Sequence, residues 1–227
     1  MPDPLLSNIV WHSLDGPHLH FSVGTPHARR YARGFSPILG FADPKQPDFA
    51  ALAPHCEPGE RLYCGGWSGS TPEGWQVDTD SFASQMIWTG GPPAHDTTLH
   101  PLRLGPADVP QVLALVEATQ PGPFGERTVE LGEHYGVFDA GRLVAMAGER
   151  FCAGQLREIS AVCTHPDFQG RGLARRLVER LLRTILLRGE QPFLHVMDGN
   201  HAARRLYEHM GFCHRQEYAV RIVSRTA

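Results

Sequence analysis

Residues 164–182, THPDFQGRGLARRLVERLL, constrain this chain more than any other stretch. Leu173, Leu177, Val178, Leu181, Leu182, Ile185 and Leu186 recur at helical spacing, while Arg175, Arg176, Glu179, Arg180 and Arg183 cover much of the opposite face. The spacing predicts an amphipathic helix that Gly189 ends. Residues 156–164 read as the strand before it and residues 193–197 as the strand after it. Strand, helix and strand at this spacing predict a parallel pair joined by a right-handed crossover. Around that unit, residues 99–104 read as a strand and Pro106-Ala107-Asp108 opens a helix through Glu117. Residues 135–138, 142–150 and 156–164 form an antiparallel meander, with turns at Ala140-Gly141 and Ala153-Gly154. Asn200 is placed to cap a shorter helix carrying Ala203, Leu206, Tyr207 and Met210, stopped by Gly211, and residues 218–223 read as the last strand.

The turn before the long helix has a chemical reading as well. A helix N-terminus exposes unpaired N–H groups and the positive end of its dipole. Gly170 and Gly172 remove Cβ atoms just there, Ala174 keeps the next turn slim, and Arg171, Arg175 and Arg176 add positive charge. The sum is a cradle suited to a phosphate or pyrophosphate. A tight strand-to-helix turn that needs glycine for geometry alone is the other reading. The stretch is not a dinucleotide fingerprint, because Arg175 stands where a third glycine belongs, and it is not a P-loop, because no Gly-Lys-Ser/Thr follows.

Composition excludes several classes. The chain has 227 residues, 41% hydrophobic and 20% charged, with a net charge of −3, as in ordinary soluble globular proteins. No global field draws it to nucleic acid or membrane. It lacks an apolar run of about 18 residues and the basic flank and apolar run of a secretion signal. The five scattered cysteines form no C-x-x-C pair and read as reduced thiols, so the expected location is cytoplasmic. His18 and His20 could share one face of a strand, but no third ligand sits near, so no metal is expected.

The first half is rich in Pro, Gly, Trp and His. It reads as a short helix (5–11), strands at 19–23, 30–34 and 37–41, a helix at 47–55, and strands at 61–64, 75–77 and 82–88. Residues 90–96, GGPPAHD, read as a boundary loop, which divides the chain into a smaller α/β domain (1–95) and a second domain (98–227). Core packing is the favoured place for Trp11, Trp67, Trp75 and Trp88.

With its surroundings, the glycine turn resembles the coenzyme A loop of the GNAT acyltransferase superfamily, Arg/Gln-x-x-Gly-x-Gly/Ala, here Gln169-Gly170-Arg171-Gly172-Leu173-Ala174. EISAVCTHPDF resembles that family's fourth strand with its linking His-Pro. NHAARRLYEHMGF resembles its Asn-x-x-Ala-x-x-Leu-Tyr-x-x-x-Gly-Phe helix, through Asn200, Ala203, Leu206, Tyr207, Gly211 and Phe212. The resemblance covers about residues 98–227 and is narrowest to the C-terminal domain of glycine N-acyltransferase-like proteins. In those proteins the first half is itself a worn version of the same fold, and the order of elements here permits that. The implied class is α/β (α+β): a mixed central sheet with splayed parallel strands and flanking helices, preceded by the smaller α/β domain.

What the resemblance implies for function is specific. The co-substrate is acetyl-CoA, bound at residues 169–174. The pantetheine arm pairs with the edge of the strand at Val162, Cys163 and Thr164, the Val162 N–H polarises the thioester carbonyl, and Asn200 adds a contact. Glu158 is the expected base; the alternative is a glutamate paired with an arginine such as Arg157 or Arg150. By strand alternation Glu158 shares a face with Ser160, Val162 and Thr164, and Cys163 points away. Tyr207 is the expected acid for the departing thiolate; the alternative is a half-buried aromatic closing the core. The acceptor is a primary amine of a small molecule or amino acid. A protein or peptide acceptor and a non-catalytic acyl-CoA sensor are the rivals. A homodimer is compatible, since related domains often pair.

Overall fold

A computed structural model describes residues 4–226. Among them, eleven strands form one mixed sheet: β1 (Ser22–Gly24), β2 (Ala28–Tyr31), β3 (Ile38–Phe41), β4 (Leu62–Gly65), β5 (Trp75–Trp88), β6 (Leu102–Arg103), β7 (His134–Asp139), β8 (Arg142–Ala153), β9 (Leu156–Thr164), β10 (Gln191–Met197) and β11 (Phe212–Arg225). The helices are α1 (Pro4–Ser7), α2 (Ile9–Leu14), α3 (Phe49–Leu52), α4 (Val109–Thr119), α5 (Leu173–Leu187) and α6 (His201–Met210). The strands lie in the order β1-β2-β3-β4-β11-β5-β10-β9-β8-β7-β6.

The crossover unit forms as its periodicity predicts. Leu177, Val178, Leu181, Leu182 and Ile185 of α5 are buried on the sheet, in one cluster with Met86, Ile159, Leu194, Val196, Phe212 and Tyr207 of α6. Each such side chain contributes roughly 1.5–3 kcal/mol of burial. Gly189 ends α5 in the left-handed region (φ +74°), with Glu190 N–H donating to the Ile185 carbonyl at 3.1 Å and Gly189 N–H to that of Leu186 at 3.0 Å. Asn200 Oδ1 accepts from Ala203 N–H at 3.1 Å, capping α6.

The division at residue 95 does not separate two sheets. Residues 75–77 and 82–88, read as two strands, are one fourteen-residue strand, β5, and it lies between β10 and β11 of the second half. Its polar middle is held by pairing: Arg221 of β11 donates to both carboxylate oxygens of Asp80, at 3.0 and 2.8 Å. The opposite face of the sheet holds α2 and α4. All of α2 except His12 is buried, and it packs on β2 and β3 near one edge and on β8 near the other, so the sheet curls around it. The four tryptophans are all core residues.

His18 and His20 do not share a strand. They flank Leu19 at a single 3-10 turn, and His18 is buried, with Nδ1 against the Tyr31 hydroxyl at 2.8 Å and Nε2 against Cys152 Sγ at 3.2 Å. Burial, and next the Arg157 charge, lower its pKa from 6.5 to about 4; burial does the same to His134. Both are neutral in the folded chain, whereas the unfolded chain protonates them below pH 6.5. Their contribution is therefore fully present above pH 6.5 and is lost as pH falls towards 4, by about 3 kcal/mol for each. The urea midpoint is expected to fall steadily over that window, and a His18→Gln variant to lose about half of the fall. A midpoint that stays flat between pH 6.5 and 4 would contradict this.

Candidate active site

β9 and β10 pair in parallel at Leu156, Arg157 and Glu158, opposite Gln191, Pro192 and Phe193. Among the described residues they pair no further. Past Glu158 the edge of β9 faces a cleft, because β10 turns away to follow β5. On its other edge β9 carries a bulge. Gly148 stands opposite Ser160 but Met146 stands opposite Cys163, so β9 has one extra residue, and Ala161 sits at φ +53°. The bulge resets the faces. Val162 packs with the α5 core, whereas Ala161 and Cys163 pack with α4. The expected alternation thus holds from Glu158 to Ser160 and breaks after it: Cys163, not Val162, returns to the Glu158 face.

The turn at residues 169–174 follows the mouth of this cleft. Gly170 and Gly172 lie at φ +76° and +73°, where an L side chain is strained, and no atom lies within 4 Å of where a Cβ would stand on either. No described side chain caps α5 at Gly172, so the first N–H groups of a fifteen-residue helix face open space. Gln169 Nε2 ties the turn back to the Thr164 carbonyl at 3.3 Å. Arg171 stacks on Phe168, 4.5 Å from the ring centre, and is free of any carboxylate among the described residues. Arg176 is not available as the sequence implied, because Asp96 accepts from its Nε at 2.6 Å. Leu173 and Ala174 are half-buried as the helix begins.

Tyr207, on α6, is buried in the core cluster that α5 forms with the sheet, with its ring packed edge-on against Phe212. Burial, and next the Cys163 thiol, push its hydroxyl pKa well above the ordinary value. The phenol therefore stays protonated, as a proton donor must. Thr164 Oγ1 is buried without a hydrogen-bond partner among the described residues.

Glu158 realises the arginine-paired alternative. It is fully buried at the floor of the cleft, accepting from Arg150 Nε at 2.8 Å and Arg150 Nη2 at 2.9 Å, and from His195 Nδ1 at 2.7 Å. Burial would raise its pKa; Arg150 and His195 outweigh this and bring it to about 2. Both of its oxygens are occupied by these donors, so the expected base role does not fit this geometry. Gln85 completes the network, donating to His195 Nε2 at 3.0 Å and to the Leu6 carbonyl at 3.1 Å, which links the cleft floor to α1. Sequence reasoning missed His195 and Gln85, which meet Glu158 through sheet order alone.

On the α4 face, residues 121–124 close over a small cavity of about 10 Å³, room for about one water molecule. His134, Arg150, Ser160 and Ala161 line it. The first half of the chain holds this loop: Ser36 Oγ donates to the Pro123 carbonyl at 2.9 Å, and Arg127 N–H to that of Gly34 at 2.7 Å.

Residues 134–221 match the family described as FR47-like protein. Among solved structures, a protein assigned to the GNAT acetyltransferase family from Novosphingobium aromaticivorans is 36% identical, with a TM-score of 0.91 over 99% of this chain and 100% of that one. Both halves of the chain are therefore shared with that protein. A GCN5-related N-acetyltransferase from Kribbella flavida (TM-score 0.63, 12% identity, 96% of this chain and 95% of that one) is similar in fold. So is a GCN5-related N-acetyltransferase-like protein from Streptococcus suis (0.58, 17%, 94% and 92%). The comparison with curated proteins gives no match. These similarities carry the superfamily and not the narrower likeness to glycine N-acyltransferases.

Proposed function

The chain belongs to the GNAT acetyltransferase family, and from that premise we propose that it moves an acetyl group from acetyl-CoA to the primary amine of a small molecule by direct transfer. The observation that carries this reading is the open glycine turn at residues 169–174, set against the unpaired edge of β9. The α5 N–H groups there take the diphosphate, with Arg171 adding charge. The main chain of Val162, Cys163 and Thr164 holds the pantetheine arm. The Val162 N–H, just after the bulge, meets the thioester oxygen as it becomes an oxyanion, an interaction worth about 3–4 kcal/mol in the transition state. Tyr207 protonates the departing thiolate. Asn200 already caps α6 with Oδ1 and has its amide N–H₂ left for the arm.

A small acceptor is favoured over a protein because the α4 face of the cleft is covered. Residues 121–124, held by Ser36 and Gly34, close the side from which an amine reaches β9. Residues 1–95 then serve as part of the acceptor wall. Thiol release from acetyl-CoA, followed across amino acids, polyamines and peptides, tests the proposal. Turnover with an amino acid or polyamine is expected. Turnover confined to peptide N-termini or lysines would replace the acceptor class, and acetyl-CoA binding without turnover on any amine would leave a sensor.

A further inference from the structure

The cleft needs a group to take the proton of the attacking amine, and Glu158 is occupied. The register of the meander supplies another candidate. His134 of β7 stands opposite Gly148 of β8, and Gly148 stands opposite Ser160 of β9. The three form one row on the α4 face, with His134 and Ser160 about 10 Å apart at their α-carbons. Gly148 puts no side chain between them, and the His134 ring lies in the space this leaves. A methyl group on Gly148 would collide with ring atoms Cδ2 and Nε2.

The tautomer follows from the hydrogen bond. His134 Nδ1 lies 3.1 Å from the Gly132 carbonyl oxygen, which can accept only, so Nδ1 carries the hydrogen. In the neutral ring Nε2 then bears a lone pair, on the edge that overlies Gly148 and borders the cavity shared with Ser160 and Ala161. Ala161 is the bulge residue that precedes the oxyanion donor Val162. Phe124 meets the ring edge-on at 5.9 Å, holding it in place beneath the closing loop.

Resting on the acetyl-transfer reading above, we propose that His134 is the general base of this enzyme, receiving the proton of the acceptor amine on Nε2 through the one water that the cavity beside Ser160 and Ala161 has room for. The ammonium form of the acceptor first loses one proton to solvent. Its nitrogen lone pair then forms the N–C bond to the thioester carbonyl, and the second N–H proton passes to that water as the water gives one of its own to His134 Nε2. The C–S bond breaks, its electron pair leaves on sulfur, and sulfur takes the Tyr207 proton. The proton on His134 returns through solvent to Tyr207. A ring kept neutral by burial suffices, because the nitrogen becomes strongly acidic only once the N–C bond forms. The charged groups around the ring are already committed: Arg150 of β8 to Glu158 of β9, Glu149 of β8 to Arg188, and Glu133, beside it on the chain, to the Tyr135 hydroxyl.

The test uses the full chain and the amine that turns over fastest in the panel. His134→Asn keeps a donor for the Gly132 carbonyl but has no basic nitrogen. It is expected to lower kcat roughly 10²–10⁴-fold with calorimetric affinity for acetyl-CoA unchanged. Because that variant could fold poorly, His134→Ala is assayed with added imidazole, which should restore part of the turnover. Unchanged kcat in a folded His134→Asn protein, or loss of acetyl-CoA binding together with turnover and no rescue by imidazole, overturns the assignment. If the unaltered protein binds no acetyl-CoA, the acetyl-transfer reading fails, and this assignment with it, a result separate from either outcome in the variants.

Discussion

Glu158→Gln is expected to destabilise the folded chain by about 3–5 kcal/mol, as measured by urea denaturation. The carboxylate is fully buried and takes both guanidinium contacts of Arg150, which cannot shed its proton. A glutamine would turn an N–H₂ group towards Arg150 or His195 and leave the arginine charge uncompensated in the interior. For a chain of this size that corresponds to a fall in Tm of roughly 6–20 °C. Replacing both partners, Glu158→Leu with Arg150→Met, should recover much of the loss, because a buried ion pair contributes little over apolar packing once both charges are gone. The sign of the pH effect is fixed by the same contacts. The folded pKa, about 2, lies below the unfolded value of 4.5, so this contribution is fully present above pH 4.5 and is lost as pH falls towards 2. If Glu158→Gln keeps its stability within about 1 kcal/mol and loses turnover alone, Glu158 is a base after all and the ion-pair account is wrong.

Tyr207→Phe is expected to lower kcat by roughly 10²–10⁴-fold, the range for removal of a positioned acid, while leaving acetyl-CoA affinity close to that of the unaltered protein. The ring keeps its packing against Phe212, and among the described residues the hydroxyl makes no hydrogen bond, so stability should hardly change. That separation matters. A merely structural tyrosine would show its loss in Tm and not in kcat. Steady-state kinetics with saturating acetyl-CoA, run beside thermal melts, checks it; an unchanged kcat would remove Tyr207 from the chemistry.

The parts of the site that were legible in the sequence are those set by neighbours along the chain. The periodicity of α5, the glycines before it and the Asn200 cap of α6 each express local backbone needs, and each stands where the pattern put it. What escaped is set by partners distant in sequence. The bulge at Ala161 carries no signal, because alanine is an ordinary strand and helix residue and nothing in it announces a positive φ. That silence misplaced Val162 and Cys163 by one face. A second irregularity, between Glu149 and Cys152 of β8, decides which arginine meets Glu158. It gives Glu158 to Arg150 and leaves Arg157 to Glu190 at 2.7 Å, a choice the sequence left open. The place of β5 between β10 and β11 is likewise a matter of long-range pairing.

The turn at residues 169–174 carries the whole functional account, and calorimetric titration of acetyl-CoA into the unaltered chain and into Gly172→Val tests it most directly. A β-branched residue at φ +73° forces the turn out of shape and puts a side chain over the α5 N–H groups. The account predicts one molecule bound per chain, with affinity falling at least about tenfold, roughly 1.4 kcal/mol, in the variant. No heat with the unaltered chain, or equal affinity in the two, would contradict it.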